Sequence, residues 1–483
     1  MSSRLRKASR RHSAPPSALL SLLLLAELPV LGLRPLVRDE TTSVEVAQRH
    51  WGAFWELLHH LDAPLGLYYL LLRPIVAVSD GSFAVRVPSL VGAVAAVAIL
   101  VLTVDRRFGR QAAFWSGLVM VANPGLWLLA DFARPYTLAL AVAALTLYVL
   151  LVRPECTVLY GVAALLLVYL QLLFALFLAA QGVWILYQRR FRLLAALCVV
   201  AVASLPLVIV ASGESVMTGW IPLTSVSSLR DEFTNLFGEA GIGSNLAGAL
   251  TVALVVLALR VREARLVALL GAAPAAVLVI AGFTLHLLGS RYFFYVVLTS
   301  ACAAGIGLAA ARSAVVKAGA ACLLGLAVAF SATHIVTLDY VQEDLRSATA
   351  YLLAHDRPGD VALYDPDWAR PGMEYWLGRA GGQQPEDIAV RPGTVPARTG
   401  NLFLPERPAA EIEAILAAHT RVWVVGYPGQ PWRPTPNVGG DIGQAAQRSW
   451  ITVDHKKFGE IELLLLQRPE ASSPALLSLA IEP

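Results

Sequence analysis

The chain has 483 residues, of which 57% are hydrophobic and 15% charged, with a mean hydropathy of +0.62 and a formal net charge of +4. A soluble domain carries about a quarter charged residues, so these values exclude a soluble enzyme, a disordered chain and a fibrous repeat. Apolar runs near 20 residues recur along the chain and point to a polytopic membrane protein in the lipid bilayer.

The N-terminus is basic (Arg4, Arg6, Lys7, Arg10, Arg11) and leads into an apolar run from Ala18 to Leu36. No small-x-small cleavage site follows it, so a first span with a cytoplasmic N-terminus is expected rather than a signal peptide. Further apolar runs cover 88–104, 112–130, 137–152, 157–171, 172–187, 193–211, 246–259, 266–284, 292–310 and 315–337. Basic clusters separate alternate runs: Arg106, Arg107 and Arg110; Arg153; Arg189, Arg190 and Arg192; Arg260, Arg262 and Arg265; Arg312 with Lys317. The positive-inside rule puts them in the cytoplasm. The expectation is an α-helical plasma-membrane protein of about 11 to 12 spans. A cytoplasmic N-terminus (1–17) precedes a membrane domain (18–338), and an extracytoplasmic domain (339–483) follows.

Residues 64–79 resist this count. As a helix they reach only ~24 Å, against ~30 Å of hydrocarbon, and Arg73 and Pro74 interrupt them. They read as an interfacial or half-inserted helix within a long first outer loop, 38–87, with a full crossing compensated elsewhere as the alternative. The other outer places are a tight turn at 131–136, a loop at 212–245 and the entry to the run at 292. The last third differs in kind. Short β-like runs at 361–364, 421–425 and 461–466, with helix signals at 342–354 and 409–418, predict a small α/β domain. Basic residues form no domain of their own, so no nucleic-acid partner is expected. The four cysteines (Cys156, Cys198, Cys302, Cys322) give no disulfide framework or paired-cysteine zinc site.

In so apolar a chain, charge at the membrane face needs a reason, because burying it unpaired is expensive. Asp39 and Glu40 directly follow the first run. They suit an interfacial cap, or a general base working at a membrane-level cavity, where weak solvation raises a carboxylate's basicity. The amphipathic stretch from Val44 to Leu61 carries Trp51, Phe54 and Trp55, expected anchors at an interface. Its adjacent His59 and His60 do not share a helix face, which counts against a metal site. Arg86, Asp131, Arg134, Tyr136, Arg291 and Tyr292 all fall at outer span ends. Arginines there oppose the positive-inside bias, and an anionic partner such as a lipid phosphate would account for them, as would snorkelling to headgroups.

Five motifs in order resemble the GT-C superfamily of membrane glycosyltransferases: Asp39-Glu40, the stretch from Asp62-Ala63 to Gly66-Leu67-Tyr68-Tyr69, Arg86-x-Pro88-Ser89, Arg106-Arg107-Phe108-Gly109, and Ala133-Arg134-Pro135-Tyr136-Thr137-Leu138. The resemblance is nearest to the branch of protein O-mannosyltransferases and aminoarabinose transferases, in its actinobacterial form, and runs from about residue 18 to 365. It implies a polyprenyl-phosphate-linked sugar donor, an active site at the outer face and inversion at the anomeric carbon. It matches Asp39 to the catalytic acid of the first loop, Glu40 to its neighbour, Arg134 to the arginine of the second outer loop and Arg291 to the arginine near the lipid phosphate. Asp62 and Tyr69 would join the substrate-binding set. The sugar would be mannose or another hexose or pentose, and the acceptor an extracytoplasmic protein, lipid or glycan. Two departures stand out. Phe132 occupies the position of an acid that commonly precedes Ala-Arg-Pro-Tyr, with Asp131 one step earlier. Pro64-Leu65 replaces a histidine common in the second motif. Both weigh against a divalent metal, and no other cofactor is called for.

Asp365-Pro366-Asp367 has the spacing of a metal-nucleotide-sugar site but is ordinary turn chemistry. Arg230-Asp231-Glu232 repeats the letters of the first motif inside a polar loop and reads as a solvated face. The rivals to a transferase are a transporter or flippase for a lipid-linked substrate and a non-catalytic envelope scaffold. A transporter places charge near the midplane in broken, repeated helices, whereas here the charge gathers at span ends on one face.

Overall fold

A computed structural model describes residues 28–214, 218–238, 242–336, 343–427 and 436–469. Most of the expected first span, and the basic N-terminus before it, lie outside the described residues. The remainder of that run, 28–33, is turn rather than helix. The described residues fall into two compact units: one takes those up to Arg34 and from Leu58 to 336, the other Pro35–Leu57 and those from Glu343 onward. The opening of the expected first outer loop therefore packs with the C-terminal domain, not with the membrane helices.

The helices are α1 (Arg38–Gln48), α2 (Trp51–His60), α3 (Gly66–Val76), α4 (Ser82–Phe108), α5 (Arg110–Val121), α6 (Pro124–Ala130), α7 (Tyr136–Val152), α8 (Thr157–Leu170), α9 (Ala175–Tyr187) and α10 (Phe191–Ala203). Next come α11 (Leu205–Gly213), α12 (Val226–Asn235), α13 (Ile242–Ala258), α14 (Arg262–Gly282), α15 (Tyr295–Ala310) and α16 (Ala314–Val336). Every apolar run from 88 onward is thus helical. Two runs break: α5 and α6 bend by 66° around Asn123-Pro124, and α10 and α11 by 42° around Ser204. A proline at or just after each break removes a backbone donor and stops the ladder. By length and composition α4 and α14 can cross a membrane, four segments if each bent pair counts as one, while the other apolar helices have 10–17 residues, with α16 counted to Phe330. Among the described residues, the sequence-based count of about 11 is not reached by that criterion. Residues 64–79 form a 3₁₀ turn and the 11-residue α3, with Pro74 inside it.

Two glycines let the membrane helices close on one another. A Cβ on Gly92 of α4 would lie 2.5 Å from the Leu138 nitrogen of α7. One on Gly305 of α15 would lie 2.4 Å from the Ser116 nitrogen of α5. The connectors alternate in character. Those after α4, α7, α9, α13 and α15 carry the basic clusters, and the intervening ones hold 131–135, 171–174, the loops after α11 and α12, and 283–294. Up-and-down connectivity puts each set at its own end of the helices, and the candidate residues belong to the less basic set.

The C-terminal unit is a five-stranded sheet in the order β2-β1-β3-β5-β4, built from β1 (Val361–Asp365), β2 (Glu386–Asp387), β3 (Arg421–Gly426), β4 (Ile451–Phe458) and β5 (Ile461–Gln467). The first three strands are parallel, and β5 and β4 turn back antiparallel. Strand alternation sends Ala362, Tyr364, Trp423, Val425, Leu463 and Leu465 to one face, under α17 (Leu345–His355) and α18 (Arg370–Ala380). It sends Val361, Leu363, Val422, Val424 and Leu466 to the other, under α19 (Ala409–Ala417) and α20 (Val438–Ser449). The α/β layering expected from the sequence is therefore present. It gains two helices and two strands that sequence patterning did not signal.

Candidate active site

Three groups of polar side chains stand out, two in the membrane unit and one in the C-terminal unit. In the membrane unit the turn 131–135 between α6 and α7 is fixed by charge. The Asp131 carboxylate is fully buried and meets the Arg86 guanidinium at 3.3 Å and that of Arg34 at 3.5 Å. Arg86, from α4, also donates to the Leu31 and Arg34 carbonyls at 3.2 Å. The Ser89 hydroxyl, one α4 turn further on, reaches the Phe132 carbonyl at 2.6 Å and that of Arg134 at 3.1 Å. Thr137 of α7 donates back to the Ser89 carbonyl. The Arg86-x-Pro88-Ser89 and Ala133-Arg134-Pro135-Tyr136 motifs therefore meet in space, and Arg86 and Asp131 engage one another. Among the described residues, two guanidiniums flank one carboxylate on this turn. Arg134, also buried, adds another.

Arg291 completes that constellation. It lies on a 3₁₀ turn, Ser290–Tyr292, just before α15. Its guanidinium carbon sits 5.7 Å from the Tyr136 ring centre and 5.8 Å from that of Trp220, within cation–π range. Tyr136 in turn stacks on Phe132 at 6.3 Å. The residue in place of the missing acid thus serves as an aromatic backing for the ring that Arg291 faces. The turn is held from below by Glu232, whose carboxylate accepts the Ser290 backbone N–H at 2.5 Å. Glu232 is a structural anchor, not the solvated residue expected from its loop.

The Asp62 motif forms a separate group in the same unit. Asp62 adopts a left-handed backbone (φ 56°), which Asp tolerates better than most residues. Its carboxylate accepts the Tyr69 hydroxyl at 2.8 Å. Glu214, at the end of α11, accepts the Ala63 backbone N–H at 3.1 Å. Burial, with Asp62 close by, pushes the Glu214 carboxyl up to about 7. Sequence reading passed over Glu214 because a lone acid after an apolar run carries no spacing signal.

In the C-terminal unit, Asp39 and Glu40 open α1 and diverge in environment. Glu40 is fully buried, and its carboxylate accepts the Val37 backbone N–H at 3.1 Å, half of a capping arrangement. The Asp39 side chain keeps 31% of its surface exposed and lies 3.9 Å from the Arg38 guanidinium. Of the two acids, Asp39 is the one a second molecule can reach. The stretch 44–61 is two helices, not one. Arg49 leaves the helical conformation between α1 and α2 and donates to the Thr399 and Asn401 carbonyls, with Glu45 as its ion-pair partner.

The Asp365-Pro366-Asp367 turn ends β1. The Asp365 carboxylate accepts from Gln444, and Asp367 opens a 3₁₀ turn. Among the described residues, no three or more His, Cys, Asp or Glu side chains are grouped to hold a metal ion.

The fold, apolar helices with a small α/β unit, is similar to that of solved structures at low sequence identity. The chain resembles ArnT from Cupriavidus metallidurans in complex with undecaprenyl phosphate, with a TM-score of 0.53 over 93% of this chain and 97% of that one. The apo form of the same protein gives 0.52 over the same shares, and the sequence identity is 14% in both cases. No family profile matches the sequence, and no curated protein matches it.

Proposed function

We propose that the protein is a membrane glycosyltransferase that moves a sugar, mannose or another hexose or pentose, from a polyprenyl-phosphate donor to an extracytoplasmic acceptor with inversion. The observation that carries the reading is the gathering of arginines at the turn 131–136, with Arg291 held beside it against Tyr136 and Trp220. A lipid phosphate is the natural counter-charge for such a site at a membrane interface. The fold is shared with a protein that binds undecaprenyl phosphate.

In this mechanism Arg134 and Arg291 bind the donor phosphate and stabilise the charge that develops on it as it leaves. Arg86 and Asp131 act behind them by fixing the turn. Asp39 takes the proton from the acceptor hydroxyl. The acceptor oxygen attacks the anomeric carbon from the face opposite the phosphate, the carbon–phosphate-oxygen bond breaks, and polyprenyl phosphate departs with the electron pair. Glu40 holds the start of α1 and so the direction of Asp39, while Asp62 with Tyr69 contributes to the substrate side. The N-terminus and the basic connectors face the cytoplasm of the plasma membrane, and the α/β domain lies outside.

The test is a donor panel. Protein reconstituted in liposomes receives polyprenyl-phosphate-mannose, -glucose or -arabinose with a total envelope acceptor pool. Transfer from one donor supports the reading. Movement of the lipid-linked sugar across the bilayer with no transfer would instead make the protein a flippase.

A further inference from the structure

We propose that Arg38 and Glu343 form a clamp that sets the orientation and the charge environment of Asp39, so that the C-terminal domain supplies positioning residues for catalysis. The inference rests on the reading of Asp39 as the base. Glu343 stands just ahead of α17, 305 residues from Arg38 in sequence, and one of its carboxylate oxygens accepts the Arg38 backbone N–H at 2.7 Å. The other oxygen lies 3.9 Å from Nε of the same arginine. The guanidinium carbon rests 4.1 Å from the Trp368 ring centre and 5.4 Å from that of Tyr427. Its Nη2 faces Asp39 at 3.9 Å. One cation is thus stacked on two rings and shared between two carboxylates, one of them the proposed base.

The backbone is held with equal care. Glu343 bridges to Gly459 at the β4–β5 turn, and Trp376 of α18 donates to the Leu36 carbonyl at 3.2 Å. Within α1, the Ser43 hydroxyl donates to the Asp39 carbonyl at 2.8 Å and that of Thr41 to Arg38 at 2.9 Å. Anchoring a helix start requires only an acceptor for a backbone N–H. Here a buried carboxylate and a stacked guanidinium are committed next to the base, a costly choice if anchoring were the sole purpose.

The electrostatics give the clamp a signature. Glu343 faces Arg38, Asp39, Glu460 and the Tyr427 hydroxyl. Burial pushes its carboxyl up, and Arg38 pulls it down. While Glu343 is ionised it shares the charge of Arg38, and Asp39 stays basic. Without that charge, Arg38 acts more strongly on Asp39 and makes it a weaker base. Removing Arg38 does the opposite.

The experiment measures transfer against pH for the full-length protein in liposomes, using the polyprenyl-phosphate-mannose, -glucose and -arabinose donors, for wild type, Glu343→Gln, Arg38→Gln and Asp39→Asn. Glu343→Gln is expected to move the acid limb of the profile down by about one pH unit and to lower kcat several-fold with the donor KM unchanged. Arg38→Gln is expected to move the limb up. Opposite shifts cannot come from loss of structure alone, and either variant reads the coupling if the other does not fold. Limbs that stay at the wild-type position in both, with Asp39→Asn inactive, would overturn the clamp and leave the base assignment intact. Full activity of Asp39→Asn would overturn the base assignment itself.

Discussion

Asp131 offers the sharpest test of how the membrane unit is built. Its carboxylate is wholly buried between Arg86 at 3.3 Å and Arg34 at 3.5 Å. At an effective dielectric of about 20, each contact is worth ~5 kcal/mol of gross attraction, most of it offset by the cost of taking the charges out of water. Asp131→Leu removes the acid and leaves two buried guanidiniums without it, and breaking a buried pair in this way costs about 3–5 kcal/mol. Pairing it with Arg86→Met removes one of the stranded cations and should recover a large part of that loss. The assay is thermal unfolding of the detergent-solubilised protein followed by tryptophan fluorescence, as a double-mutant cycle. The single variant should unfold well below wild type and the double variant between the two. An Asp131→Leu protein as stable as wild type, or a double variant whose loss is the sum of the singles, would refute the reading of this group as a coupled support.

Gly92→Leu should destabilise the protein by at least about 1–3 kcal/mol, because its Cβ would sit 2.5 Å from the backbone of α7; the thermal midpoint reports it. Glu214 gives a pH-dependent prediction. Its folded-state carboxyl lies near 7, above its ordinary 4.5, so between those values the folded state holds more protons and stability falls as pH rises. Glu214→Gln should therefore be more heat-resistant than wild type at pH 8, with the difference shrinking towards pH 5. A pH-independent difference would count against it. Arg291→Ala should raise the donor KM at least tenfold, with Arg291→Lys recovering only part, since a point charge lacks the guanidinium's planar fit to Tyr136 and Trp220. An unchanged donor KM would remove Arg291 from the phosphate site.

Much of this architecture is legible in the sequence because it depends on local chemistry. The apolar runs from 88 onward became helices α4 to α11 and α13 to α16, and the breaks in two of them lie at Pro124 and just before Pro206. The strands β1, β3 and β5 were readable as buried apolar runs. Strand β4 was not. Its residues Ile451–Phe458 lie on an exposed edge, where lysines and an aspartate discourage further pairing and hide the alternation. The membership of 35–57 in the C-terminal unit was equally hidden, since Glu343 and Trp376 hold the chain at Arg38 and Leu36 from more than 300 residues away. Position at the span ends suggested Asp131 and Arg86 as outer-face charges, and only the fold shows that they meet. Arg34 gave no sign of joining them, because it reads as the tail of an apolar run. Asp39 and Glu40 look equivalent as letters, and burial separates them.

The central claim is that this fold carries out sugar transfer with Asp39 as the base. Its most direct test compares wild type with Asp39→Asn, a change that keeps the size of a side chain that is 31% exposed, in liposomes charged with the polyprenyl-phosphate sugar that the wild type uses. Loss of about 10²–10⁴-fold in kcat, as removal of a general base produces, with donor binding retained, is the predicted result. Equal transfer by the two proteins would contradict it.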